Sequence, residues 1–222
     1  TVNLAEALEK SCNGYFVRLG QQLSAEMLLQ TAEAFGFGRQ IAVAGRLYAD
    51  SGNLPTAQEL AQSGQLANFS FGQGSFLASP VQVAAMMNAI ACGVYRTPFF
   101  VEGTVDETQA AVSEAFSQPQ GKRILSEKTA DALREMLEQV VAEGTAQDAA
   151  GLEEGAGGKT GTAQTGQFTP EGVERKNLWF AGFYPAQKPK YTIVVLQDGQ
   201  TDPAYSSAAV FARLCTALRL LG

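Results

Sequence analysis

A chain of 222 residues that is 45% hydrophobic and 17% charged is long enough for one large domain or two small ones, with a proper core. Its net charge of −6 argues against a nucleic-acid or anionic-membrane partner, and no run approaches the roughly 18 apolar residues of a membrane span. There is no histidine, which excludes a Ser-His-Asp triad, a Cys-His pair or histidine-ligated zinc, and Cys12, Cys92 and Cys215 form no C-x-x-C.

Asn3 with Glu6 makes a capping-box pattern and opens a short helix through Lys10. "SCNGYF", residues 11–16, then stands on the turn before a second helix. Ser24 caps a helix with Ala25, Leu28, Ala32 and Phe35 on one face and Gly36 at its stop. Thr56 and Glu59 repeat the capping box, and Ser79-Pro80 starts a helix that runs to Gly93. Residues 97–125 predict short strands around a turn. Ser126 caps a long amphipathic helix carrying Leu133, Met136, Leu137, Val140 and Val141, with its stop at Gly144. The last third changes character. Residues 157–164, "NLWFAGFYP" at 177–185 and "KYTIVVLQ" at 190–197 predict three strands, the last two antiparallel across a short connection. A final helix after Pro203 puts Ala208, Phe211, Cys215 and Leu218 on one face. No linker or repeat interrupts this order, so the class is α+β: residues 1–150 mainly helical, residues 151–222 strands and a C-terminal packing helix.

"EGAGGKTGTAQTG", residues 154–166, sets a lysine among glycines, as phosphate-binding loops do. The spacing G-x-x-x-x-G-K-[ST] requires glycine at 153, where Glu153 stands, and two glycines follow the lysine where a helix should begin. The phosphate reading fails. On a strand, Lys159, Gly161 and Ala163 share one face while Thr160 and Thr162 share the other. Gly161 leaves a gap where a ligand's backbone can approach, and free edge amides can pair with an extended peptide. A cation, a hydroxyl and open amides suit a peptide-like ligand with a carboxylate. A solvated lysine on an edge strand accounts for this stretch equally well. In "SCNGYF", Ser11 offers a hydroxyl for proton transfer and Asn13 an amide to hold a peptide group, although Ser and Asn at helix junctions are most often caps.

Taken together, S-x-N at Ser11 and Asn13 followed 148 residues later by K-T-G resembles the penicillin-binding and serine β-lactamase superfamily. The closer resemblance is to penicillin-binding protein transpeptidase domains. "SCNGYFVRLGQQL" resembles their second motif with its helix, "FSFGQGSFLASPVQVAAMMNAIACG" their "GQG…TP.Q.A" segment, and "GGKTGTAQ" their third motif. "NLWFAGFYP" and "YTIVVLQDG" resemble their last two strands, so the likeness spans residues 1–222. One motif is absent. The superfamily's nucleophile lies in S-x-x-K, and no lysine of this chain has serine three residues before it. The expectation is therefore the C-terminal part of such a domain, inert alone, with nucleophilic serine and base lysine in an upstream segment.

The resemblance implies a D,D-transpeptidase that cross-links peptidoglycan stem peptides and binds β-lactams. It would lie on the outer face of the bacterial membrane, anchored by an N-terminal segment outside this sequence. Ser11 would relay a proton, Asn13 would hold the substrate amide, and Lys159 would share the proton network. Thr160 would bind the terminal carboxylate beside Gly161, and the Thr162 N–H would supply one oxyanion-hole donor. No metal or organic cofactor is implied, and no nucleic-acid partner. A β-lactam sensor or a serine β-lactamase would share the cleft; the latter needs a group activating water, and no such motif is present. Without the upstream segment, the edge of "YTIVVLQ" and an apolar groove among the helices are expected to favour self-association or pairing with that segment.

Overall fold

Side-chain caps punctuate the helical part of the chain. The computed structural model describes residues 2–44, 47–101, 105–108 and 120–221. Capping boxes of Asn3 with Glu6 and Thr56 with Glu59 open α1 (Leu4–Glu9) and α4 (Ala57–Leu60), so the first orphan amides of each helix are satisfied locally. Ser24 caps α3 (Ala25–Ala34), which follows α2 (Asn13–Gln22). Ser79, Pro80 and Gln82 together set the start of α6 (Pro80–Cys92), and Gly93 ends it in the left-handed region that favours glycine. Gln82 also reaches inward: it is fully buried, and its Nε2 donates to the carbonyl of Ser51 at 2.9 Å. Ser126 caps the long α7 (Glu127–Ala142). These starts and stops match the sequence expectations.

Smaller elements carried weaker signals. A hairpin of β1 (Ile41–Ala44) and β2 (Leu47–Ala49), and the short α5 (Gln65–Phe69), were not foreseen, being too short to develop a periodic pattern. Of the strands expected within 97–125, β4 (Lys122–Arg123) pairs antiparallel with β3 (Val94–Tyr95). Residues 97–101 and 106–108 of that span form no strand, and 102–104 and 109–119 lie outside the described residues.

The main sheet has the order β5-β6-β7, from Gly157–Phe168, Glu174–Tyr184 and Tyr191–Gln200, all antiparallel. Its strands run longer than expected. The polar stretch "TGQFT…VERK" continues β5 into β6 as a second hairpin, where no apolar alternation marks strand. In β6 the alternation explains a continuous apolar run. Phe180 and Tyr184 pack on one face against Phe211 and Cys215 of α8 (Ser207–Leu221) and against Val140 of α7. Ala181 and Phe183 pack on the other against Met87 and Ala91 of α6 and Leu137 of α7. A central strand covered by helices on both faces has no polar side to show. Gly157 and Gly158 sit where a Cβ would land on the Phe183 and Phe180 rings, so β5 lies tight against β6. Its other edge pairs with no described strand, and that edge is where the cleft opens. No described helix is long and apolar enough to cross a membrane.

Candidate active site along the free edge of strand β5

The direction of the β5 backbone sets the site. Gln73 Nε2 donates to the Thr162 carbonyl at 3.1 Å, so that carbonyl points away from β6. Within a strand the N–H and C=O of one residue face the same side, and every second residue repeats it. The Thr160 and Thr162 N–H groups therefore also face the free edge, while Lys159 and Gly161 bond back to Ala181 and Trp179. The cleft beside this edge has a volume of about 730 Å³ and is bordered by Ser11, Asn13, Gln73, Thr145, and Lys159 to Thr162. Side chains from both faces of β5 border it because it runs along the strand edge rather than over one face. The assignment of Lys159 and Thr160 to opposite faces thus does not separate them in function.

Lys159 is the hub. Its Nζ donates to Ser11 Oγ, to the Thr160 carbonyl at 3.2 Å, and to Thr160 Oγ1 and Thr145 Oγ1 at 3.4 Å each. Thr145 and Thr160 are joined through their hydroxyls at 2.9 Å. The lysine is half-buried, and burial holds its pKa below the ordinary lysine value, since its partners are neutral oxygens with no carboxylate among them. At any given pH a larger fraction of such an amine is unprotonated, and so free to take a proton, than of a surface lysine. The solvated edge-lysine reading does not describe this environment.

Ser11 is not a cap either. α2 starts at Asn13, its N-cap is Cys12, and no side chain caps it. Ser11 takes a left-handed backbone, φ 50°, alone among the described non-glycine residues. That conformation costs about 1–3 kcal/mol and is retained where surrounding structure fixes it. Here the Ser11 and Cys12 amides bond back to Leu8 and Ala7 at the end of α1, and the hydroxyl is delivered to Lys159. Asn13 is exposed on the wall of the cleft. Gly161 leaves its side of the strand open: a Cβ there would meet only the Trp179 Cβ, at 3.4 Å. All six residues singled out in the sequence thus border one cleft. Two residues were missed. Gln73 carried a signal, since it is the glutamine of the quoted "GQG" segment; Thr145, in a loop after a helix stop, carried none. Among the described residues no group of three or more cysteines or carboxylates is placed to hold a metal ion.

An α+β layering with S-x-N and K-T-G facing one another across a cleft defines the class of the active-site serine penicillin-recognising proteins. Within that class, the penicillin binding protein transpeptidase domain matches residues 1–216, and the chain belongs to this family. Stage V sporulation protein D of Bacillus subtilis is 33% identical over 196 residues, which are 87% of this chain and 30% of that protein. Peptidoglycan D,D-transpeptidase PbpA of Mycolicibacterium smegmatis is 32% identical over 204 residues, 90% of this chain and 39% of that protein. The chain therefore spans less than half the length of these curated relatives. Among solved structures, the D,D-transpeptidase domain of a peptidoglycan glycosyltransferase from Eggerthella lenta superposes with a TM-score of 0.83 at 28% identity, covering 100% of this chain and 54% of that one. Penicillin-binding protein 3 of Mycobacterium tuberculosis, complexed with aztreonam, gives 0.83 at 27% identity, covering 99% and 51%.

Proposed function

We propose that this chain is the C-terminal part of a peptidoglycan D,D-transpeptidase domain working through a serine acyl-enzyme. The observation that carries the reading is the Lys159–Ser11 hydrogen bond beside a β5 edge that pairs with no described strand. A lysine of lowered pKa bonded to a serine hydroxyl forms a two-member proton relay, and an edge with outward amides forms a strand-addition site for a peptide. The nucleophilic serine and its S-x-x-K lysine come from a segment outside this sequence. That serine attacks the carbonyl of a D-Ala-D-Ala stem peptide, and the outward Thr162 N–H stabilises the developing oxyanion. The bond to the terminal D-alanine breaks, the departing amine takes its proton through Ser11 and Lys159, and an amine of a neighbouring peptide takes the acyl group. Asn13 holds the substrate amide, and Thr160 binds the carboxylate. β-Lactams acylate the same serine; solved relatives in complex with aztreonam and ampicillin support this part. The work belongs on the outer face of the cytoplasmic membrane, where peptidoglycan is cross-linked; the name of one relative, a peptidoglycan D,D-transpeptidase, supports this part. Self-association, or pairing with an upstream segment, rests on β7, whose outer edge pairs with no other described strand.

The test is covalent labelling by a fluorescent penicillin. The chain of this sequence stays unlabelled. The polypeptide that also carries the S-x-x-K segment is labelled, and Lys159→Ala slows its acylation by about 10²-fold, the scale of a lost proton-transfer participant. An adduct on Ser11 of the chain alone, or an unchanged rate in Lys159→Ala, overturns the reading. Release of D-alanine by the longer polypeptide separates the enzyme from a β-lactam sensor.

A further inference from the structure

Thr145 sits where three elements meet. It follows the end of α7, with the Gly144 and Ala146 amides bonded to Val140 O at 3.1 and 3.2 Å. Its own amide donates to Glu9 O at 3.3 Å, the last residue of α1 and two before Ser11. Its hydroxyl lies 2.9 Å from Thr160 Oγ1 and 3.4 Å from Lys159 Nζ. The backbone is held from two sides, and the side chain is aimed at the K-T-G strand.

The proton count gives this contact a direction. In its ammonium form Lys159 has three protons and only donates: Ser11 Oγ and the Thr160 carbonyl take two, and the third is shared between lone pairs of the Thr145 and Thr160 hydroxyls, each at 3.4 Å. Each hydroxyl keeps a single proton. If Thr160 spends its proton on Thr145, it presents only lone pairs to the cleft, and these repel a carboxylate. If Thr145 donates to Thr160 instead, both Thr160 lone pairs are filled and its proton must point outward. An anion in the cleft selects the second arrangement, and the chain Lys159 N–H, Thr145 O–H, Thr160 O–H then runs in one sense, each bond polarising the next.

We propose that Thr145 is a positioning residue that fixes the Thr160 hydroxyl as a donor to the ligand carboxylate. This rests on the transpeptidase reading, and specifically on Thr160 binding the carboxylate. Thr145 makes no contact with Ser11, and its only contact with the relay is the long 3.4 Å bond it accepts from Lys159, against 2.9 Å to the Thr160 hydroxyl. Its removal therefore weakens recognition of anionic ligands and leaves the reactivity of the acylated serine alone.

The experiment uses the polypeptide that carries the S-x-x-K segment, with benzylpenicillin and its uncharged methyl ester as probes of acylation rate. Thr145→Val keeps shape and deletes the hydroxyl. It is expected to slow benzylpenicillin about tenfold, the usual worth of a hydrogen bond to a charged group, and the ester by less than about twofold. Thr145→Ser restores the rate. In a Thr160→Val background Thr145→Val has no further effect on benzylpenicillin. Equal slowing of both probes, additive losses in the double variant, or no slowing at all overturns the assignment. A parent polypeptide that reacts with neither probe overturns the transpeptidase reading, and the assignment with it.

Discussion

Strands β5 and β6 lie side by side in one sheet and are built on opposite rules. β6 is a run of large apolar side chains that fills both faces of the sheet, with Phe180, Phe183 and Tyr184 almost wholly buried. β5 has few side chains to bury, and its value lies in backbone and in the atoms it directs. Gly157 and Gly158 let β6's rings come close; three residues on, Gly161 keeps the cleft side open. The same residue type serves packing at one end of "GGKTG" and access at the other. One strand is specified by volume, its neighbour by the direction of polar atoms, and the ladder between them transmits the rigidity of the first to the second.

That division also decides what could be read from the sequence. Caps at Asn3, Ser24, Thr56, Ser79 and Ser126 were legible because a side chain bonding an amide three residues on leaves a local pattern. The apolar strands were legible from their continuous runs. Lys159, Ser11 and Asn13 became legible as a pair of motifs only, since each alone fits an edge lysine or a cap. Thr145 was not legible, because its role comes from a loop brought within 3.4 Å of Lys159 by tertiary packing. The long β5–β6 hairpin was missed because polar strands supported by a neighbour's ladder need no hydrophobic alternation of their own.

The contrast is broken or sharpened most strongly in the core. Phe211 is fully buried against Phe180 at a ring separation of 4.6 Å. Phe211→Ala is expected to destabilise by about 3–5 kcal/mol in denaturant titration. A loss below about 1 kcal/mol would mean that volume does not govern the β6 side.

The glycines give the next largest effect. At Gly158 an added Cβ meets the Phe180 ring and the Ala181 carbonyl oxygen at 2.8 Å, and backbone cannot yield as a side-chain tip does. Gly158→Ala is expected to destabilise by about 1–3 kcal/mol, the cost of overpacking. Gly161→Ala meets only ordinary contact, so its stability stays within about 0.5 kcal/mol of the parent. Melting both variants under one condition checks the pair. Equal losses would erase the distinction between the packed and the open end of the strand.

The smallest effect is a proton linkage, and it tests the cleft side alone. Burial lowers the Lys159 pKa, so the folded chain gives up this proton at a lower pH than the unfolded chain, whose lysine titrates near ~10.4. Below the folded value both states hold the proton, and the cost of keeping a half-buried ammonium is fully present. Between the two values the unfolded state holds more protons, so stability rises with pH across that window. Buried Cys215 pulls the other way: its pKa is pushed up to about 12, and its contribution falls as alkali ionises the unfolded thiol first. The raw pH profile therefore mixes opposing slopes. Comparing the protein with Lys159→Met removes the mixture, because Cys215 is common to both. The stability difference, parent minus variant, is expected to climb as pH rises from the lowered folded value towards pH ~10.4, and to be flat below the folded value. A difference that stays flat, or falls, would place a counter-charge near Lys159 that its hydroxyl and carbonyl partners do not supply. The proton relay would then have to be assigned to a lysine held charged, and the contrast between a dry core and a charge-poor cleft would fail on its cleft side.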